Sequence, residues 1–490
     1  CGNYNTAVGR SALQAFTGSD ATAVGSGAAD AATSATNLTA VGKDALGECT
    51  EGLGNTALGA SAGADVTTGD YNTFIGYVAG ARNTGMRNAF VGSDAGAKGT
   101  SVNDCIAIGY AAHGGDGVTA PTGDYNIAIG SYALDKVTTA TQNVSIGYNS
   151  LTNLITGDYN TAVGHNAGLD VTGNSNTLLG RNAGYDATSI TDCVAIGRDA
   201  LRGDGTTAPT GDYSIAIGNY TLDATTTGHS NVAIGHNTLT SATTNHSTVA
   251  IGHRAMQYAD GGEHYSVAVG AYALNTEASG SDGTVAIGYY ALKTQDGGTG
   301  NVAVGYNAAN GLDNGSDNVF IGYGVAGGAN TPTGDDNVLI GKNAGYDLAS
   351  GYRNICIGYQ AGFDFTNNHN NVAIGYNALT SANDGELYNV AIGTSALLNE
   401  TSGADHCVAI GYESLKGQNA DVKNIGVGSY ALGHNKSGSY NTALGQGAGY
   451  ANVDSFNTWI GYHAGHQTGH AAANTTLGYR TYFSSTFTNG

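Results

Sequence analysis

The sequence predicts an all-β protein, a parallel β-solenoid built as a flattened β-roll of about 28 coils of about 17 residues. Three observations carry that expectation. A pentapeptide of the form Asn-Val-Ala-Ile-Gly, seen cleanly at 371–375 and as Asn-Val-Ala-Val-Gly at 301–305, recurs in 28 variants between Gly9 and Gly478. Its closing glycines, at 9, 25, 42, 59, 76, 92 and onward, fall mostly 16 to 18 residues apart. Val and Ile dominate the repeat, and the chain holds 79 Gly but only 3 Pro, a β signature rather than one of disorder. A fixed period of this kind means stacked units, each burying its apolar face only against its neighbours. Residues 1–478 therefore read as one continuous array. Residues 479–490 lose the repeat and carry Tyr482, Phe483 and Phe487, as a terminal cap or the start of a following domain.

Taking the closing glycine as slot 0, slots −3 and −1 are Thr, Val, Ile or Leu almost throughout. Alternation places both on one strand face, expected to be the face buried inside the coil. Slots +1 and +2 are mostly polar or Tyr and are expected to bend to solvent. Slots +3 and +4 return to Ala-Leu or Ala-Gly, read as a second short strand. Turn chemistry then closes the coil, as in the Thr-Gly-Asp-Tyr strings at 68–71, 122–125, 156–159 and 210–213. Slot −4 is most often Asn; stacked amides would form a ladder, or the residue simply tolerates a turn.

Slot −2 is mostly Ala and never charged, yet alternation turns it away from the expected interior. Large residues occur there at Phe74, Phe90, Leu178, Phe320, Leu339 and Trp459, and slot +4 of those coils is Gly or Ala. Where slot +4 is Leu, as at Leu379, slot −2 is small, as at Ala373. Positions that exchange size share one close-packed volume. With both strand faces thus buried, the second volume is expected to lie between chains. These eight residues would form an oligomer seam in a homotrimeric rod, whose 28 coils at ~4.8 Å each make very roughly 130 Å.

Composition limits the partners. The net charge is −21, which opposes binding to nucleic acid or anionic membrane. No apolar run approaches a membrane-spanning length. The chain opens on Cys1 rather than Met, as expected of a processed chain or a piece of a longer one. Cys105, Cys193 and Cys407 share slot −4 many coils apart, too far for disulfides, so the cysteines read as packing residues. Two segments match at an offset of 88 residues, Tyr71, Cys105, Asp116 and Pro121 corresponding to Tyr159, Cys193, Asp204 and Pro209. Block duplication of this kind suits a quasi-linear fold. Each block holds one enlarged step, expected to project as a loop.

In those loops Asp116 with Asp124, and Asp204 with Asp212, are candidate Ca2+ ligands, against the alternative of solvated turns. The string Arg202-Gly203-Asp204 lacks its arginine in the duplicate, where Gly114 stands, and reads as coincidence. Tyr289, Tyr306 and Tyr323 occupy slot +1 on successive coils and are candidate platforms for a cell-surface glycan or a receptor, or else strand formers. No nucleophile elbow, phosphate-cradling loop or enclosed pair of glutamates emerges. The expectation is a protein without catalytic residues or obligatory cofactor.

The pentapeptide with its following polar pair and Ala, as in 371–378, resembles the head repeats of YadA-like trimeric autotransporter adhesins. Related repeats occur in phage tail fibres. The resemblance covers nearly the whole chain and implies a parallel β-roll, trimerisation and surface adhesion. The coils here are longer than the adhesin repeat and no stalk or anchor segment is seen, which favours a phage fibre or another secreted filament. A left-handed hexapeptide β-helix is the alternative fold; it requires three apolar signatures per coil, and one strong and one weak are present. The expected function is an extracellular, cell-surface or virion-surface adhesive fibre. A structural filament joined end to end is the alternative, with a polysaccharide-degrading solenoid a distant third.

Overall fold

A computed structural model of the protein describes every residue except 1–3, 204, 207, 260–263, 279–281, 329, 383–384, 386, 400–404, 419–422, 467–471 and 482–490. The chain divides into two compact units, Cys1–Ser247 and Thr248–Gly490. Both are parallel β-solenoids, with no helix among the described residues, in all about 26 coils of ~17 residues. The first unit stacks fourteen three-residue strands, from Thr6–Val8 to Val232–Ile234. The second stacks fourteen more, from Val249–Ile251 to Thr475–Leu477. Register follows the repeat slot by slot: Thr161, Ala162 and Val163 pair with Thr177, Leu178 and Leu179. The terminal cap expected from Tyr482, Phe483 and Phe487 falls outside the described residues.

The closing glycine sets how tightly the coils stack. At Gly305 φ is +143°, and a Cβ there would stand 2.2 Å from the carbonyl oxygen of Gly322, the same slot one coil on. Gly147 against Gly164 and Gly25 against Gly42 give the same distance. Both the left-handed backbone and the contact exclude a side chain, so one glycine column runs through each stack.

The second strand expected at slots +3 and +4 does not form there. The three strands of a separate sheet, Tyr258–Ala259, Thr276–Ala278 and Thr294–Asp296, lie further on, at slots +6 to +8. Slots +2 to +4 form a corner whose slots +2 and +4 are left-handed, as at Asn377 (φ 54°) and Leu379 (φ 49°), and equally at Tyr272 (φ 58°) and Leu274 (φ 48°). Its backbone still pairs from coil to coil. The Asn377 N–H donates to the Tyr359 carbonyl at 2.9 Å, and the Leu379 N–H to the Ala396 carbonyl at 3.0 Å. A bulky residue at positive φ is costly, and complete burial of Leu379 offsets that strain.

The facing of the strand is the reverse of the expected one. Slot −2 points into the coil, and slots −3 and −1 point out. Phe74, Phe90, Leu178, Phe320, Leu339, Trp459, Ala373 and Leu379 are all fully buried within a single chain, so the size exchange takes place in the coil's own interior and these residues form no seam between chains. The reason is thickness. A Cβ at Gly80 would stand 2.2 Å from the Phe74 ring, and one at Gly465 would stand 2.1 Å from Trp459. Only one side-chain layer fits between strand and corner. Alanine plus leucine fills it, as does a large residue plus glycine; two β-branched residues per strand would not.

The exchange also extends one coil further than expected. Phe74 presses on Gly63 of the preceding coil as well as on its own Gly80, and Trp459 on Gly449 as well as Gly465. Slot +7, which closes the interior from the third side, is apolar in many coils, as at Val66, Leu154 and Phe365, all buried.

The asparagine ladder is present. Asn55 Oδ1 accepts from both the backbone N–H (2.9 Å) and the side-chain amide (3.1 Å) of Asn72, whose amide also donates to the Gly85 carbonyl at 2.9 Å. The pattern repeats along 126, 143, 160 and 176 and along 301, 318, 337, 354, 371 and 389. Each buried amide thereby satisfies turn backbone that would otherwise lack a partner. Cys105 and Cys193 take the ladder slot and donate N–H groups to Asn88 and Asn176. Burial pushes the Cys105 thiol up to about 12 and Cys193 to about 11, which makes them inert packing residues.

Two stability measurements check this account. Gly305→Ala should lower unfolding stability by about 2–4 kcal/mol. Gly311→Ala, whose Cβ would meet nothing nearer than 4.0 Å, should stay within about 0.5 kcal/mol in the same denaturant titration. Ala373→Phe should cost about 1–3 kcal/mol by overpacking against Leu379. Adding Leu379→Gly should recover most of it, because glycine stands at slot +4 beneath the native phenylalanines, as Gly80 beneath Phe74 and Gly96 beneath Phe90. Additive losses in the double variant would refute the shared interior volume.

Candidate functional site

With slot −2 inside, each strand turns its slots −3 and −1 outward, and these are the surfaces on which function must be sought. The outward columns consist of Thr, Val, Ile and Leu, with Ala89 the one exception, and carry no charge. Leu58 is 48% exposed, Ile108 41% and Ile321 37%, although coil neighbours cover their flanks. In-register pairing aligns them, as Val302 with Val319 and Val304 with Ile321. Among the described residues each unit therefore carries an uncharged, partly exposed sheet face. The sequence offered this signal as strict β-branched alternation, which was assigned to the interior.

The three candidate tyrosines do line up. Tyr289 and Tyr306 have ring centroids 5.5 Å apart with planes 18° from parallel, and Tyr306 and Tyr323 are 5.0 Å apart at 9°. They are 40%, 48% and 54% exposed. Lys342 continues the column, its Nζ 5.4 Å from the Tyr323 ring and 5.9 Å from Tyr359, and Tyr359 stacks on Tyr376 at 5.0 Å. A hydrogen bond with Tyr290 raises the Tyr289 phenol to about 12, so it is neutral. Rings in this column turn their faces to one another and their edges and hydroxyls to solvent. Stacking on a sugar needs an open face, and this ladder offers edges.

The aspartates are engaged in turns. Asp116 accepts the backbone N–H groups of Val118 and Thr119, which hold its carboxyl below the ordinary range. Asp124 Oδ1 accepts the N–H of Asn103 at 2.7 Å, and Asp212 Oδ1 that of Thr191 at 2.7 Å. The same bond recurs from Leu53 to Asp70, Thr141 to Asp158 and Leu387 to Asp405. The Asp of Thr-Gly-Asp-Tyr is therefore a cap on the turn of the preceding coil. Asp204 lies outside the described residues. Among the described residues no group of three or more His, Cys, Asp or Glu stands close enough to hold a metal ion.

Among the described residues one histidine sits fully in the interior. His113 occupies slot +4, fully buried, its ring 6.4 Å from Phe90 and 20° from parallel. Burial lowers its pKa from 6.5 to about 4. The folded state then binds fewer protons than the unfolded state between those two values. Its contribution to stability is complete above pH 6.5 and is lost as pH falls toward 4, by about 3 kcal/mol. His113→Leu, which places the usual slot +4 residue beside the small Ala107, should remove that component from a pH series of denaturant midpoints.

The chain matches no protein-family model and no curated protein. What stands established is a parallel β-solenoid of ~17-residue coils.

Proposed function

We propose that this protein is the shaft or receptor-facing region of an extracellular homo-oligomeric fibre, of the kind found in trimeric adhesins and phage tail fibres, and that it acts by assembly and attachment rather than by catalysis. The observation that carries the reading is the half-exposed aliphatic face repeated on every strand. Left in water, such a face is a liability. Covered by identical copies, each outward Val or Ile contributes on the order of 1 kcal/mol, and the sum over many coils offsets the entropy lost on association. Cyclic closure suits a face that each copy presents identically, and three copies is the state proposed. The face carries no charged residue, so contact through it brings no like charges together despite a net charge of −21. The resemblance of the repeat to adhesin heads and fibre repeats points the same way, as does an acidic surface unsuited to nucleic acid or anionic membrane.

Sedimentation equilibrium tests the assembly. The chain weighs 49.1 kDa and is expected at three times that mass. Ile321→Lys combined with Ile355→Lys and Ile410→Lys, all on the outer face and 37–38% exposed, should give monomers with an unchanged far-ultraviolet spectrum. A monomeric parent protein, or a triple variant that stays trimeric, would overturn the reading.

A further inference from the structure

Tyrosines on successive coils meet in two ways. Tyr110, Tyr132 and Tyr148 alternate between slots +1 and +2 and pack edge to face, at 86° and 88°. Tyrosines that hold slot +1 on both coils lie parallel instead: Tyr306 and Tyr323 at 9°, Tyr359 and Tyr376 at 8°, Tyr462 and Tyr479 at 8°. Identical slots are related by little more than a one-coil translation, which sets each ring over like atoms of the next. Tyr306 and Tyr323 have centroids 5.0 Å apart, and both rings are about half exposed.

This arrangement suits coupling of the two rings. Their hydroxyls and the ring positions beside them lie on the solvent edge, where an oxidant reaches them. Exposed side chains rotate on the ps–ns timescale, so like carbons can close the remaining gap without moving the backbone. Two reactants held one coil step apart meet far more often than either meets a second molecule in solution. Tyr289 extends the column at 5.5 Å, but its hydroxyl is engaged with Tyr290. On the other side Lys342 takes the slot and ends the run of rings.

We propose that Tyr306 and Tyr323 are a modification site, joined by hydrogen peroxide and a haem peroxidase into a dityrosine bridge between successive coils. Each phenol gives up the hydrogen atom of its hydroxyl, one proton and one electron. The two phenoxyl radicals then form a carbon–carbon bond between ring positions ortho to oxygen. The hydrogen on each bonded carbon moves to its own ring's oxygen, which restores both hydroxyls and both aromatic rings. The two protons and two electrons removed convert one hydrogen peroxide to two waters. The bridge closes a loop of seventeen residues and, like a disulfide, restricts the unfolded chain. Both rings belong to one chain, so the site does not depend on assembly.

The test treats the full chain with hydrogen peroxide and a haem peroxidase, separates it under denaturing conditions and cleaves it before aspartate. Cleavage at Asp296, Asp313, Asp317 and Asp335 leaves Tyr306 in peptide 296–312 and Tyr323 in peptide 317–334, each with no other tyrosine. The expected product is these two peptides joined, two hydrogens lighter than their sum, from material that migrates as a single chain. The treated chain should also unfold at a higher denaturant concentration. Tyr306→Phe and Tyr323→Phe keep a stacked ring, and each should remove the joined product. Peptides 104–115 and 124–134, which carry the edge-to-face Tyr110 and Tyr132, are the internal standard, and their joined product should be at least fivefold scarcer. Treatment of the unfolded chain should reduce the 306–323 product to that level. The proposal is overturned if no such product forms, if it occurs only in cross-linked multimers, if either Phe variant retains it, or if the edge-to-face pair couples equally well.

Discussion

Everything in this fold depends on how closely one closing glycine approaches the next. With no Cβ at Gly305 or Gly147, the carbonyl of the following coil can sit where a side chain would otherwise be. That contact lets three-residue strands pair in perfect register, and it brings slot −4 amides within bonding distance of one another. The same closeness makes the interior a single side-chain layer thick. The thin interior fixes the exchange between slots −2 and +4, and it expels the β-branched residues to the outside.

The sequence made the period, the glycine column and the shared volume legible because each leaves a mark in residue identity. Gly80 and Gly96 stand beneath Phe74 and Phe90 for a steric reason that a list of residues can display. The direction of the strand was not legible. Alternation separates Ala373 from Val372 and Ile374 but does not say which set faces inward, and bulk argued for the wrong one. Only the thickness of the coil decides, and thickness is set by corner geometry. That geometry was hidden too. Left-handed Asn377 and Leu379 read as strand residues because their side-chain pattern is that of a strand, while their dihedral angles are not.

The candidate surfaces show the same division. Tyr289, Tyr306 and Tyr323 were visible as a column because spacing along the chain maps directly onto stacking. Whether their faces or their edges meet solvent depends on side-chain rotation, which spacing does not encode. The turn aspartates looked like metal ligands because Asp124 and Asp212 have the right chemistry. Their partners, Asn103 and Thr191, are backbone donors one coil away, and backbone leaves no trace in a motif.

The asparagine ladder has a direction. In the runs 55–88, 126–176 and 301–371 the amide nitrogen of one residue reaches back to the oxygen of the one before it, as Asn354 to Asn337 and Asn371 to Asn354. The side-chain dipoles therefore add along the column instead of cancelling. Where a run ends at a cysteine, the last oxygen accepts a backbone N–H instead, as Asn88 does from Cys105 and Asn176 from Cys193, and the first amide donates to a turn carbonyl, as Asn55 does to Gly69. Two such columns can be spliced head to tail, where donor meets acceptor, but not head to head, where like groups would face each other.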